Sequence, residues 1–312
     1  MNAPEKALPL ARPAPEFRRF EVTPCTPHVG GLVEGLHLSA LDDDSAAELR
    51  QALWHYGVLF AREQRLSFDQ QKRVARYFGD ELERHTFGRT LAEQGHPEVL
   101  LIQKSASNKA VTTTDVWHHD VTGREHPTLM SILQADEVPF GADTMWASMR
   151  AAYERLPYAL KLMFLNLDVD HDTLYGAMRH DQAKSASMIG KLVEGKETAT
   201  HPAVIHHPFT GQPCLFVGNA WSKRVHGYTS DQSEPILRLA NDLSRTPELQ
   251  VRWQWRKGDV ALWDNFGTTH YGVAGDTGTQ TRRLYRVSAW SPRIRPTLDR
   301  QRAVRELMAS HA

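Results

Sequence analysis

Residues 249–270 read LQVRWQWRKGDVALWDNFGTTH, and this stretch decides the fold class. Val251, Trp253 and Trp255 alternate with Arg252, Gln254 and Arg256. A period of two is that of a strand with one apolar and one wet face. Lys257-Gly258-Asp259 reads as a turn, the apolar run after it as a buried strand, and Asn265-Phe266-Gly267-Thr268 as a second turn. Working outward, the same grammar recurs in VLLIQ at 99–103, TLMSILQA at 128–135, AVIHH at 203–207, CLFVG at 214–218 and LYRVSAW at 284–290. Helices are expected at the front. Asp43-Asp44-Ser45 supplies caps for AAELRQALWHY, and Ser67 opens FDQQKRVARYFG with Gly79 at its end, GVLFA lying between as a strand. Further helices are expected over 149–166, capped by Ser148, and over 230–244. The pattern predicts a β-rich α+β fold, a sandwich or jelly roll with helices packed outside.

Thirty-seven Lys and Arg balance thirty-seven Asp and Glu, so there is no net field to hold a polyanion. Neither nucleic acid nor an acidic membrane is an expected partner. No apolar run reaches the roughly 20 residues of a spanning helix. Cys25 and Cys214 cannot form a disulfide framework and lack the spacing of a structural zinc site, which suits a reducing, cytoplasmic setting. The proline-rich opening, with no continuous apolar run, reads as a flexible tail over 1–17 rather than a signal peptide. With no repeat or long linker, one domain over 18–295 and a C-terminal tail over 296–312 are expected.

Of sixteen histidines most must be ordinary. Trp117-His118-His119-Asp120 stands out. On an extended segment His118 and Asp120 project to one side and His119 to the other, so the pair can grip one metal ion. The best third ligand is His270, after the second turn. Two histidines and a carboxylate leave positions of an octahedral ion open, as in non-haem Fe(II) sites, although a catalytic zinc accepts the same ligand types. Twelve residues after His270 comes Arg282, and four further on Arg286; with period two these share a face, while Arg283 and Tyr285 share the other. Two inward guanidiniums beside a metal call for anions, because an unpaired buried charge is costly. An anionic cosubstrate and an anionic substrate would supply them.

The WHHDVT segment, FGADTMWASM at 140–149, GDVALWDN at 258–265, the Thr268-x-His270-Tyr271 pair and the terminal Arg282-x-x-x-Arg286 resemble the taurine dioxygenase/TfdA family of Fe(II)- and 2-oxoglutarate-dependent dioxygenases. The likeness runs from about residue 18 to 295. It implies a double-stranded β-helix core, with His118, Asp120 and His270 on iron and Arg282 paired with the far carboxylate of 2-oxoglutarate, assisted by Thr144. It implies consumption of dioxygen, decarboxylation of 2-oxoglutarate to succinate, and hydroxylation of a small anionic substrate. A sulfonate or sulfate ester hydroxylated at the carbon bearing the leaving group would then release sulfite or sulfate. Arg286 and His85 stand where the family's sulfonate-binding arginine and histidine fall, and Val121 also matches. Thr114, Thr173 and Trp221 depart from the pattern around taurine's amine, which points to an anion with a larger or more apolar tail. Trp146 and Trp221 would otherwise be core. The same oxygenase chemistry on a phenoxyalkanoate or other carboxylate is the alternative, and a non-oxidative cupin-type metal protein is the rival from another class. The family likeness also suggests a homo-oligomer, a dimer or tetramer, and places a flap over about 178–199.

Overall fold

The computed structural model describes residues 13, 15–85, 88–104, 116–179, 190, 193–217, 220–273 and 280–310. Its centre is a large sheet. From one edge to the other it runs Glu21–Pro24, Gly31–Glu34, Val58–Ala61, Val260–Asp264, Met130–Glu137, Arg282–Trp290, His96–Lys104 and Thr90–Leu91. Glu81–Leu82 pairs with the end of Arg282–Trp290. Pairing is antiparallel throughout, except between Gly31–Glu34 and Val58–Ala61. A second sheet of three strands, Gln250–Trp253, Thr144–Ser148 and Thr268–Gly272, faces it. Between them lie Phe60, Leu133, Trp146, Trp253, Trp255, Trp263 and Leu284. Sheet on sheet with helices outside is the architecture the alternation implied. Val251, Trp253 and Trp255 are buried while Arg252, Gln254 and Arg256 are exposed.

Helices Asp43–Tyr56 and Phe68–Arg76 cover the other face of the large sheet. Ser67 forms a capping box with Gln70, as expected. The first helix instead takes Asp42 as its cap, whose carboxylate accepts from the Ser45 N–H, and Asp43 and Asp44 lie in the first turn. Gly79 does not end the second helix, which stops at Tyr77. It permits close approach, since a Cβ there would lie 2.8 Å from the Trp290 carbonyl. The expected helix over 149–166 is two, Met149–Glu154 and Tyr158–Leu165, because Pro157 has no N–H to continue the ladder and disfavours helical backbone at Leu156. These two, with Ser230–Leu243 and Arg300–Ala309, enclose a separate core containing Phe164, Leu215, Val225 and Leu307. Residues 296–312, expected as a tail, thus hold a helix that buries Ala303 and Leu307. Of the expected N-terminal tail, Phe17 stacks on Phe20 against the main core.

Strand Asp168–Asp172 belongs to a third sheet with Thr198–Pro202 and Ser222–Val225. The segment expected as a flap falls largely on residues 180–189 and 191–192, outside the described residues, as does Thr114. Among the described residues no helix is long and apolar enough to cross a membrane.

Candidate functional site

The WHHD segment meets the small sheet at one point. His118 and His270 form an isolated antiparallel bridge, with each N–H donating to the other's carbonyl. The chain is not a strand beyond this bridge. It turns at once, Val121 taking a φ of 50°, left-handed backbone that is strained for a β-branched residue. The outcome for the side chains is nevertheless the expected one. His118 Nε2 and His270 Nε2 lie 4.0 Å and 3.9 Å from the same atom, Asp120 Oδ1, and one ligand atom from each residue falls within 4.8 Å of the others. All three side chains are buried.

These residues fit a metal ion chemically. His118 Nδ1 lies 2.7 Å from the Val116 carbonyl; a carbonyl only accepts, so the proton is on Nδ1 and the Nε2 lone pair faces the cluster. Burial lowers the pKa of His118 and, more strongly, of His270, keeping both neutral and able to ligate. Burial opposes the charge on Asp120, but the Arg286 guanidinium beside it outweighs that and holds the carboxyl well below the usual carboxylate range. His119 faces away, with Nδ1 2.7 Å from the Asn265 carbonyl, its ring tilted against Phe216, and burial pushing its pKa down to about 4.

Three residues not expected at the site, Asn265, Ser131 and Ser288, hold Asp120 in place. Asn265 accepts from the Asp120 N–H at 2.6 Å and donates to the carbonyls of Asp120 and Thr128 at 2.9 Å. Ser131 donates to Asp120 Oδ2 at 3.1 Å and lies 2.8 Å from the Ser288 hydroxyl. A serine inside the apolar run TLMSILQA was a signal for one of them. Asn265 stands in the expected turn and closes the GDVALWDN motif, neither of which marks it as a partner of Asp120.

Arg282 and Arg286 point inward from one strand and Arg283 outward, as the period required. Arg282 donates to the Ala142 carbonyl at 3.2 Å and to Thr144 Oγ1 at 3.1 Å, and Trp255 donates to that same hydroxyl at 2.9 Å. Arg283 instead pairs at the surface with Asp136 and Glu137, each at 2.7 Å. A register shift beside Leu284, where Arg283 opposes Glu137 and Leu284 opposes Ala135, brings both acids within its reach.

The second guanidinium was expected to depend on an outside anion, but Arg286 Nη1 donates to Asp120 Oδ1 at 2.6 Å. The protein supplies a counter-charge itself, because a turn brings a carboxylate to that strand from 166 residues away. Arg286 Nη2 lies 2.9 Å from His85 Nε2, so the expected Arg286–His85 pair does assemble. Trp221 packs edge-on to His118 and donates to the His119 carbonyl at 2.9 Å, bordering the cluster, whereas Trp146 is fully buried among Phe60, Trp255 and Trp263. Val121 is half-buried beside Asp120. Thr173 is tied to Glu197 by hydroxyl contacts to its N–H and carbonyl.

A jelly roll carrying a buried His-x-Asp…His cluster defines a class of metal-dependent oxygenases. The model of the taurine catabolism dioxygenase TauD, TfdA family matches residues 21–288, and the chain belongs to that family. It is 32% identical over 278 residues to an alkylsulfatase of Acinetobacter baylyi, covering 87% of this chain and 85% of that one. It is 31% identical over 285 residues to an alpha-ketoglutarate-dependent sulfate ester dioxygenase of Pseudomonas putida, covering 88% and 91%. The crystal structure of a taurine dioxygenase from Burkholderia xenovorans superposes with a TM-score of 0.71 at 30% identity, covering 88% of this chain and 90% of that one. Membership implies a metal and 2-oxoglutarate, and identifies the protein as an oxidoreductase.

Proposed function

We propose that the protein is an Fe(II)- and 2-oxoglutarate-dependent dioxygenase that hydroxylates a small anionic organic molecule, an alkyl sulfate ester or sulfonate. Dioxygen and 2-oxoglutarate are consumed, and succinate and carbon dioxide are released. The observation that carries this reading is the convergence of His118, Asp120 and His270 beside two inward guanidiniums. Iron held by the triad would supply the oxidising power. The chain's own work is orientation. Arg282, steadied by the Ala142 carbonyl and Thr144, presents a planar fork suited to the far carboxylate of 2-oxoglutarate. Arg286 and His85 receive the substrate's anionic headgroup, with Val121 and Trp221 beside it. Holding that headgroup fixes which carbon faces the metal. Hydroxylation of the carbon that bears a sulfate ester oxygen gives an adduct that collapses to an aldehyde and inorganic sulfate, and the corresponding sulfonate gives an aldehyde and sulfite. The relatives' sulfate ester activity supports the sulfate reading over the phenoxyalkanoate one. We place the protein in the cytoplasm, in keeping with its two free cysteines.

The test is a panel of hexyl sulfate, hexanesulfonate, taurine and phenoxyacetate at fixed Fe(II) and 2-oxoglutarate, scored by succinate together with sulfate, sulfite or aldehyde. Hexyl sulfate or hexanesulfonate is expected to give the fastest coupled turnover. Faster turnover of phenoxyacetate would move the substrate class to carboxylates. Metal binding without succinate from any of the four would favour a non-oxidative role.

A further inference from the structure

Glu83 is a carboxylate 2% exposed that the metal cluster does not use. Its backbone N–H donates to the Ser288 carbonyl at 2.9 Å, on the strand that carries Arg286. Oε2 accepts from Thr128 Oγ1 at 2.9 Å, and Oε1 accepts from Arg124 Nη1 at 3.2 Å. Arg124 is itself held by Glu197 at 2.7 Å. So fixed, Oε1 stands 3.6 Å from His85 Nδ1, too far for a hydrogen bond but close enough to act on the ring electrostatically.

The other ring nitrogen settles which way the proton lies. His85 Nε2 is 2.9 Å from Arg286 Nη2, and a guanidinium nitrogen can only donate. Nε2 therefore accepts, and the proton of the neutral ring is on Nδ1, the side that faces the Glu83 carboxylate. Burial favours that neutral ring by lowering the pKa of His85. The opposite tautomer would set an N–H against the guanidinium and a lone pair against the carboxylate, unfavourable at both ends.

We infer that Glu83 is a positioning residue for substrate binding: it keeps the His85 proton on Nδ1, so that Nε2 accepts from Arg286 and aims the guanidinium that takes the anionic headgroup. This rests on the reading of Arg286 and His85 as the headgroup site. An amide oxygen at the Oε1 position would still accept from Arg124 and turn a partial negative charge to the Nδ1–H, so it preserves the electrostatic bias toward that tautomer. Thr128 orients the group from the other side.

The experiment compares Glu83→Leu, Glu83→Gln and Thr128→Val with wild type, using the anion of the panel that turns over fastest. Glu83→Leu should raise its KM about tenfold with kcat within about twofold, Glu83→Gln should recover most of that loss, and Thr128→Val should fall between. Calorimetric titration with Mn(II) and then 2-oxoglutarate should give wild-type affinities in all three. Wild-type KM in both Glu83→Leu and Thr128→Val overturns the inference. So does a Glu83→Leu chain that binds metal and 2-oxoglutarate as poorly as it binds the anion, a pattern of general disruption. If Glu83→Leu does not fold, Thr128→Val and Glu83→Gln decide, and wild-type KM in Thr128→Val counts against the inference. Arg286→Ala separates the two ideas. An unchanged anion KM there refutes the headgroup reading itself, whereas a raised KM in Arg286→Ala with none in the Glu83 and Thr128 variants refutes only the role of Glu83.

Discussion

Arg282 and Arg286 sit four residues apart on one face of one strand, both buried, yet they are held in different ways. Arg282 donates to a backbone carbonyl and a threonine hydroxyl, and the acid between these in sequence, Asp143, pairs with Arg252 at 2.7 Å. Arg286 donates to a carboxylate that is also a candidate metal ligand, and to a histidine backed by a second carboxylate. A carboxylate partner offsets the charge of a guanidinium as well as fixing its direction. In the proposed function Arg282 meets the far carboxylate of 2-oxoglutarate. In the proposed function Arg286 would exchange Asp120 for an incoming headgroup, and its second contact, to His85, would keep the fork aimed during that exchange.

The hardest blow to this contrast falls on Asp120, the carboxylate that Arg286 meets. Asp120→Asn keeps the shape and removes the charge that both the metal and Arg286 use. Metal affinity should fall at least about a hundredfold, and stability by about 3 kcal/mol, because Arg286 stays buried without its counter-charge. Metal titration and denaturant unfolding measure the two effects. Wild-type stability would mean that Arg286 has an equivalent partner elsewhere. His119→Ala provides the comparison, losing stability through its buried ring while retaining metal.

Next come the arginines themselves. Arg282→Lys should raise the KM for 2-oxoglutarate about tenfold or more, since an ammonium cannot present the fork, and leave the KM of the primary substrate nearly unchanged. Arg286→Ala should do the reverse and let 2-oxoglutarate be consumed slowly without substrate oxidation. If both variants moved the same KM, the division of labour along the strand would be wrong. The smallest effect belongs to Arg283→Ala. It removes two surface ion pairs and should cost less than about 1 kcal/mol, with 2-oxoglutarate binding untouched. A loss of cosubstrate affinity there would shift the proposed register by one residue.

How much of this was legible in advance depends on how far along the chain each contact reaches. The alternation in LQVRWQW, the Ser67 cap and the inward pairing of Arg282 with Arg286 were legible because each depends on residues a few places apart. The two helices where one was expected could have been read from Pro157. The helix Arg300–Ala309 was overlooked despite an Asp299 cap.

By itself, then, the sequence determined a sheet-rich sandwich, the projection of His118 and Asp120 to one side and which of three arginines faces outward, since local periodicity dictates which side chains share a face; His270 as the third ligand rests on the family's motif. Only the tertiary structure decided what those side chains meet. Asp120 reaches Arg286 across 166 residues and Asn265 reaches Asp120 across 145. Such contacts are set by how the sheets close on each other and by a left-handed turn at Val121. No local pattern encodes them, so the partner of a buried charge emerges only when the whole chain has packed.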